Sequence, residues 1–103
     1  MALESFTKQP YEEFMIAGDF TQVLETTETI VVGTSTVTAT DKSTGEDTSA
    51  TVLDASTKEV DGTQLRCRCR AGLNGEQHKI TFRAVTSEEN KWEIDVIMKV
   101  KET

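Results

Sequence analysis

The sequence predicts an all-β fold, an antiparallel sandwich of about seven strands. Three observations carry that prediction. Apolar and polar residues alternate with a period of two through "QLRCRCR", "QHKITFRAV" and "KWEIDVIMKVK", the pattern of strands buried on one face. Threonine is concentrated in "ETTETIVVGTSTVTATDKSTGEDTSATV", where a β-branched residue with a small hydroxyl suits the outer face of a strand. Polar turn sequences recur at intervals of about 8–12 residues, with no sustained helical period.

Taken in order, residues 1–10 have no sustained period and end at Pro10, the only proline; they are expected to form an N-terminal arm, leaving residues 11–103 as a single sandwich domain. "YEEFMIAGDF" is expected to hold a short strand with Phe14 and Ile16 on one face. "TIVV" and "STVTATD" follow as one long strand or two, with a bulge or kink at Gly33. "DKSTGED" is a turn by composition, "TSATVL" a strand, and "DASTKEVDGT" a connection with an edge strand near Lys58 to Val60. "AGLNGE" is expected to close a hairpin between "QLRCRCR" and "QHKITFRAV", and "TSEEN" a second hairpin into the last strand.

These alternations predict a register. Keeping apolar faces together sets Cys69 opposite His78, Cys67 opposite Ile80 and Leu65 opposite Phe82. The last hairpin then pairs Phe82 with Ile94 and Arg83 with Glu93, with Trp92, Ile94, Val96, Met98 and Val100 sharing one face.

Composition bounds the function. The formal net charge is −7 and the isoelectric point about 4.6, which argues against a nucleic-acid partner, since phosphate binding requires a basic footprint. The charge is uneven. Residues 1–31 hold six acids against Lys8, whereas between 66 and 83 five cations oppose only Glu76, an asymmetry that suits head-to-tail contacts between subunits or neutralisation within the fold. "MALESFTKQP" lacks the basic end and apolar run of a signal peptide, and no segment approaches the roughly 18 apolar residues of a membrane span. Synthesis in the cytoplasm and no membrane partner are therefore expected.

The chemistry-bearing residues are few. "RCRCR" projects Arg66, Arg68 and Arg70 from one face. They form either an anion- or partner-binding stripe or an exposed strand balanced by Glu93, Asp95 or acids of the N-terminal third. Cys67 and Cys69 lie two apart on one strand, a poor geometry for bridging each other, so reduced, buried thiols are expected. With His78 they offer zinc-ligand vocabulary, but C-x-C without a second pair or a fourth ligand does not predict a metal site. Asp41, Glu46 and Asp47 fail the EF-hand spacing and read as solvated turn acids. The lone His78 lies mid-strand with no Gly-flanked nucleophile elbow, and phosphate loops and dinucleotide fingerprints are absent from the sequence. Neither an enzyme nor a cofactor is expected. Phe6, Pro10 and Tyr11 either cover the open end of the sandwich or dock on a neighbour.

Together, "FTKQPYEEFMIAGDF", "ETI", "AGLNGEQHKITFRAVTS" and "EIDVIMKVKE" resemble the small structural proteins of tailed bacteriophages, specifically the phage fibre-tail adaptor family of Ig-like sandwiches. The matching points are Lys8, Gln9, Pro10, Asp19, Phe20, Thr29, Ile30, Gly72, Gly75, Ile80, Thr81, Thr86, Ser87 and Asp95. The Thr-rich segment 34–57 and "RCRCR" depart from the family pattern. The resemblance implies a non-enzymatic virion component of the tail or neck, made in the host cytoplasm. It would assemble with other phage structural proteins, as a homo-oligomer in the particle or otherwise. A capsid-decoration or adhesion module, or a monomeric bacterial binding domain, would share the fold. Candidate interface residues are Phe6, Pro10, Tyr11, Arg66, Arg68 and Arg70, with residues 1–11 expected to contact a neighbour rather than the chain's own core.

Overall fold

A computed structural model describes residues 4–103. Seven strands and one helical turn run in the order β1 (Glu4–Lys8), β2 (Phe14–Asp19), β3 (Thr36–Asp41), α1 (Ser49–Val52), β4 (Leu53–Asp61), β5 (Gln64–Cys69), β6 (Gln77–Val85) and β7 (Lys91–Val100). They form a four-stranded sheet, β1-β7-β6-β3, and a three-stranded sheet, β2-β5-β4. With β3, β6 and β7 on one side and β2, β5 and β4 on the other, this is the immunoglobulin arrangement of strands. All pairings are antiparallel except β1 with β7, which is parallel.

The inward faces follow the alternation. Leu65, Cys67 and Cys69 of β5 are buried, and so are His78, Ile80, Phe82 and Ala84 of β6 and Val96, Met98 and Val100 of β7. All of these except His78 form one hydrophobic cluster with Phe20, Ile30, Ala39, Val52 and Leu53. Each fully buried Leu, Ile or Phe contributes about 1.5–3 kcal/mol. Between the sheets, Gly18 admits the Phe82 ring. A Cβ built there would lie 2.8 Å from Phe82 Cγ, closer than two carbons can pack.

The β6–β7 hairpin has the expected register, with Phe82 opposite Ile94 and Arg83 opposite Glu93. The expected β5–β6 hairpin does not form. β5 pairs with β2 and β4, placing Cys69 against Phe14 and Leu53, while His78 of β6 faces Met98 and Asp41. Residues 70–76 instead carry the chain from one sheet to the other. Gly72 makes this crossing possible: its φ is +90°, and a Cβ there would lie 2.8 Å from Val100 Cγ2. Alternation sets which face of a strand is inward, and in a sandwich both sheets have inward faces, so it does not choose the partner strand.

The arm is also corrected. Residues 4–8 form β1, in register from Glu4 opposite Val96 to Lys8 opposite Val100; residues 1–3 of the expected arm lie outside the described residues. Lys8 is 1% exposed. Its ammonium donates to the carbonyls of Gln9 at 2.7 Å, Pro10 at 3.2 Å and Ala71 at 2.6 Å, which satisfies all three donors and ties β1 to the crossing loop. Burial nevertheless pushes its pKa below the usual lysine value.

The Thr-rich segment differs from expectation in three places. Around Gly33 the chain makes turns rather than a strand, held to the end of β6 by the Ile30–Thr86 bridge, by Val31 N donating to Val85 O at 2.8 Å and by Val85 N donating to Ser35 Oγ at 3.0 Å. "TSATVL" begins with the turn of helix α1, because Asp47 Oδ1 accepts from Ser49 N at 2.8 Å while Ser49 Oγ accepts from Ala39 N at 2.8 Å. Residues 54–61 of "DASTKEVDGT" belong to β4, a full edge strand interrupted between Asp54 and Glu59, and Gly62 and Thr63 turn the chain into β5. At that bulge Thr57 Oγ1 donates to Asp54 O at 2.6 Å and accepts from Arg68 N at 2.8 Å, replacing a lost ladder bond with side-chain bonds.

Candidate docking surface around Trp92

The two ends of the sandwich differ. One gathers the β2–β3 connection, the β4–β5 turn and the β6–β7 turn, and there the sheets part. Trp92 lies on the inward register of β7, opposite the buried Ala84. Yet β2 ends at Asp19 and the chain turns away, leaving Trp92 38% exposed. The hollow so formed has a volume of about 600 Å³ and is lined by Asp19 to Val23 on one side and by Trp92, Glu93 and Ile94 on the other. A second hollow of about 420 Å³ also touches Trp92, with Thr34, Thr36, Arg83 and Lys91 among its walls.

Local hydrogen bonds hold these walls. Asp19 Oδ1 accepts from Thr21 N at 2.9 Å, Thr21 Oγ1 at 2.5 Å and Thr63 Oγ1 at 3.0 Å, pinning the wall to the β4–β5 turn. These donors, led by the Thr21 hydroxyl, lower the Asp19 pKa. On the β2–β3 connection, Glu28 is buried and accepts from Thr86 Oγ1 and, at 2.9 Å, from Asn90 Nδ2. The Thr86 hydroxyl is the main cause of its lowered pKa. Thr29 and Ser87 bond reciprocally, Ser87 N to Thr29 O at 2.8 Å and Thr29 N to Ser87 Oγ at 3.0 Å. The β2–β3 connection is thereby fastened to the turn that delivers Trp92.

The electrostatics of this end are acidic. Glu25, Glu88 and Glu89 are exposed there against the exposed Lys91, while Arg83 is already paired with Glu93 at 2.7 Å. Apolar side chains Val23, Val31 and Val32 are also partly exposed on the same connection. An aromatic ring, apolar neighbours and a carboxylate rim favour contact with cationic groups and disfavour anions.

At the opposite end Tyr11 is 95% and Leu73 71% exposed. Phe6 is half-buried, its ring 5.8 Å from that of Phe14 at an interplanar angle of 59°, so it packs within the sandwich; Pro10 supplies a carbonyl to Lys8. Contrary to expectation, the arginine stripe is balanced by β4 rather than by Glu93, Asp95 or the N-terminal third. Arg66 lies 3.3 Å from Asp61 and 3.6 Å from Glu59, and Arg70 lies 3.9 Å from Asp54 and donates to Ala50 O at 3.1 Å. Arg68 faces Met15 and Asp54 in the register.

The expected Cys67, Cys69 and His78 meeting is replaced by another. The possible ligand atoms of Asp41, Glu76 and His78 lie within 4.8 Å of one another. Both ring nitrogens of His78 are engaged, Nδ1 with Thr48 Oγ1 at 2.9 Å and Nε2 with Glu76 Oε1 at 3.2 Å, and Asp41 Oδ1 accepts from Ser43 N and Oγ. Both cysteines are free and buried, and burial raises their pKa values.

Sequence reasoning placed Trp92 with the inner face but did not find the hollow. The available signal was position: Trp92, the chain's sole tryptophan, is the first inward residue after a turn, where the opposite sheet need not reach.

Fold and surface together define the class: a two-sheet, all-β sandwich with an acid-rimmed aromatic hollow at one end. Over residues 8–99 the chain matches the family described as Podophage GP4 fiber-tail adaptor protein gp77, and it belongs to that family. Comparison with curated proteins and with solved structures gives no match.

Proposed function

We propose that the protein is a non-enzymatic joining component of a phage tail or neck that works by binding other structural proteins. Membership of the fiber-tail adaptor family over residues 8–99 is the observation that carries this reading. The sandwich supports it physically. Hydrogen-bonded walls and a closed core give a rigid body whose ends present side chains to neighbours. In this reading the protein is made in the host cytoplasm, resides in the virion and contacts other tail proteins, with further copies of itself a possible neighbour in the particle. Neither nucleic acid nor membrane is a partner; the net charge of −7 supports the first exclusion. Among the described residues, no helix is long and apolar enough to cross a membrane.

The test is a nonsense mutation in the gene, followed by electron microscopy and mass spectrometry of the particles. The expected result is particles that lack this protein and the fibres it joins, with filled heads. Recovery of the wild-type protein on isolated heads rather than tails would point to capsid decoration and overturn the adaptor reading.

A further inference from the structure

Resting on that adaptor reading, we propose that the hollow at Trp92 is the docking site for a cationic segment of another tail protein, with an arginine or lysine side chain laid on the indole. Three observations converge on that occupant. Trp92 is 38% exposed although Ala84, its partner across the hairpin, is buried, so one face or edge of the ring remains available. The hollow of about 600 Å³ has room for several side chains. On the connections of this end the exposed Glu25, Glu88 and Glu89 outnumber the exposed Lys91, and an aromatic quadrupole adds to the attraction for a cation.

The same charges argue against other occupants. An anionic segment would meet the carboxylate rim. A second copy carries the same net charge of −7, which opposes its approach to the rim, although its exposed Lys42, Lys79, Lys99 and Lys101 form no ion pair among the described residues. A partner of net positive charge is the favoured source of the cation.

Because Trp92 is the sole tryptophan, its fluorescence reports the site directly. The probes are two synthetic peptides, Gly-Arg-Leu-Arg-Gly and Gly-Glu-Leu-Glu-Gly, titrated into the full chain at low and high salt. The arginine peptide is expected to give a saturable change that weakens with salt, and the glutamate peptide none. By calorimetry, Trp92→Ala should weaken arginine-peptide binding about tenfold. Glu88→Gln and Glu25→Gln, which alter exposed side chains, should each weaken it about threefold. Equal binding of both peptides, or unchanged affinity in all three variants, would overturn the proposal. So would a fluorescence change that tracks protein concentration without peptide, since that would make a second copy the occupant.

Incorporation into particles separates this proposal from the reading beneath it. If wild-type protein enters tails and folded Trp92→Ala enters equally well, the surface is wrong and the adaptor reading stands. If wild-type protein is absent from tails, both fail.

Discussion

Arg83 Nε donates to Glu93 Oε1 at 2.7 Å across the β6–β7 hairpin, with both side chains largely in solvent. Water screens the pair and two long side chains must be ordered to make it. Replacing Arg83 with Ala should therefore cost less than about 1 kcal/mol in urea denaturation. A double-mutant cycle with Glu93→Ala should return a coupling no larger than that, and smaller still at high salt.

Lys8 behaves in the opposite way, because its ammonium is buried among three carbonyls of the chain itself. Lys8→Ala leaves those oxygens without their donor, an expected loss of about 2–4 kcal/mol. A truncation beginning after Gln9 should cost at least as much, since it also strips β1 from β7 and exposes that edge. Retention of wild-type stability by the truncated chain would show that β1 is dispensable.

Gly18→Ala places a methyl group against Phe82. Relief requires the aromatic ring or the β2 backbone to move, at a cost of roughly 1–3 kcal/mol. The test is the urea midpoint, with a crystal structure expected to show the Phe82 ring displaced.

Acid should loosen the Trp92 end. The folded pKa of Glu28 lies below its ordinary value of 4.5 because Thr86, Glu25 N and Asn90 donate to the carboxylate. Its contribution is therefore complete above pH 4.5 and is lost as pH falls through the lower folded value. Thr86→Val removes the leading donor, so the variant should be less stable at neutral pH and show a shallower loss of stability on acidification. Equal pH slopes in the two proteins would contradict this coupling.

The thiols have the opposite sign. Burial raises both cysteine pKa values above the ordinary 9.0, so their contribution is complete below pH 9.0 and declines as the unfolded chain ionises above it. In the native protein Cys67 and Cys69 should resist a thiol reagent at neutral pH and react fully in denaturant. Rapid labelling without denaturant would show that β5 opens readily.

A strand turns its side chains alternately to its two faces, so residue order by itself marks Leu65, Ile80, Phe82 and Val96 as inward. The β6–β7 hairpin was legible for the same reason, its two alternating runs being joined by a short turn. Alternation carries no information about which sheet a strand enters. That was decided by the crossing at Gly72, where chain geometry and the approach of Val100 send β5 and β6 to different sheets. Nor could the order of residues show that Lys8 is interior, since an ammonium is buried only where carbonyls from distant segments such as Ala71 converge on it. The candidate site divides in the same way. A tryptophan on an inward register was visible in the sequence, but its partial exposure depends on how far the opposite sheet extends before Asp19 turns away, and packing between the sheets decides that.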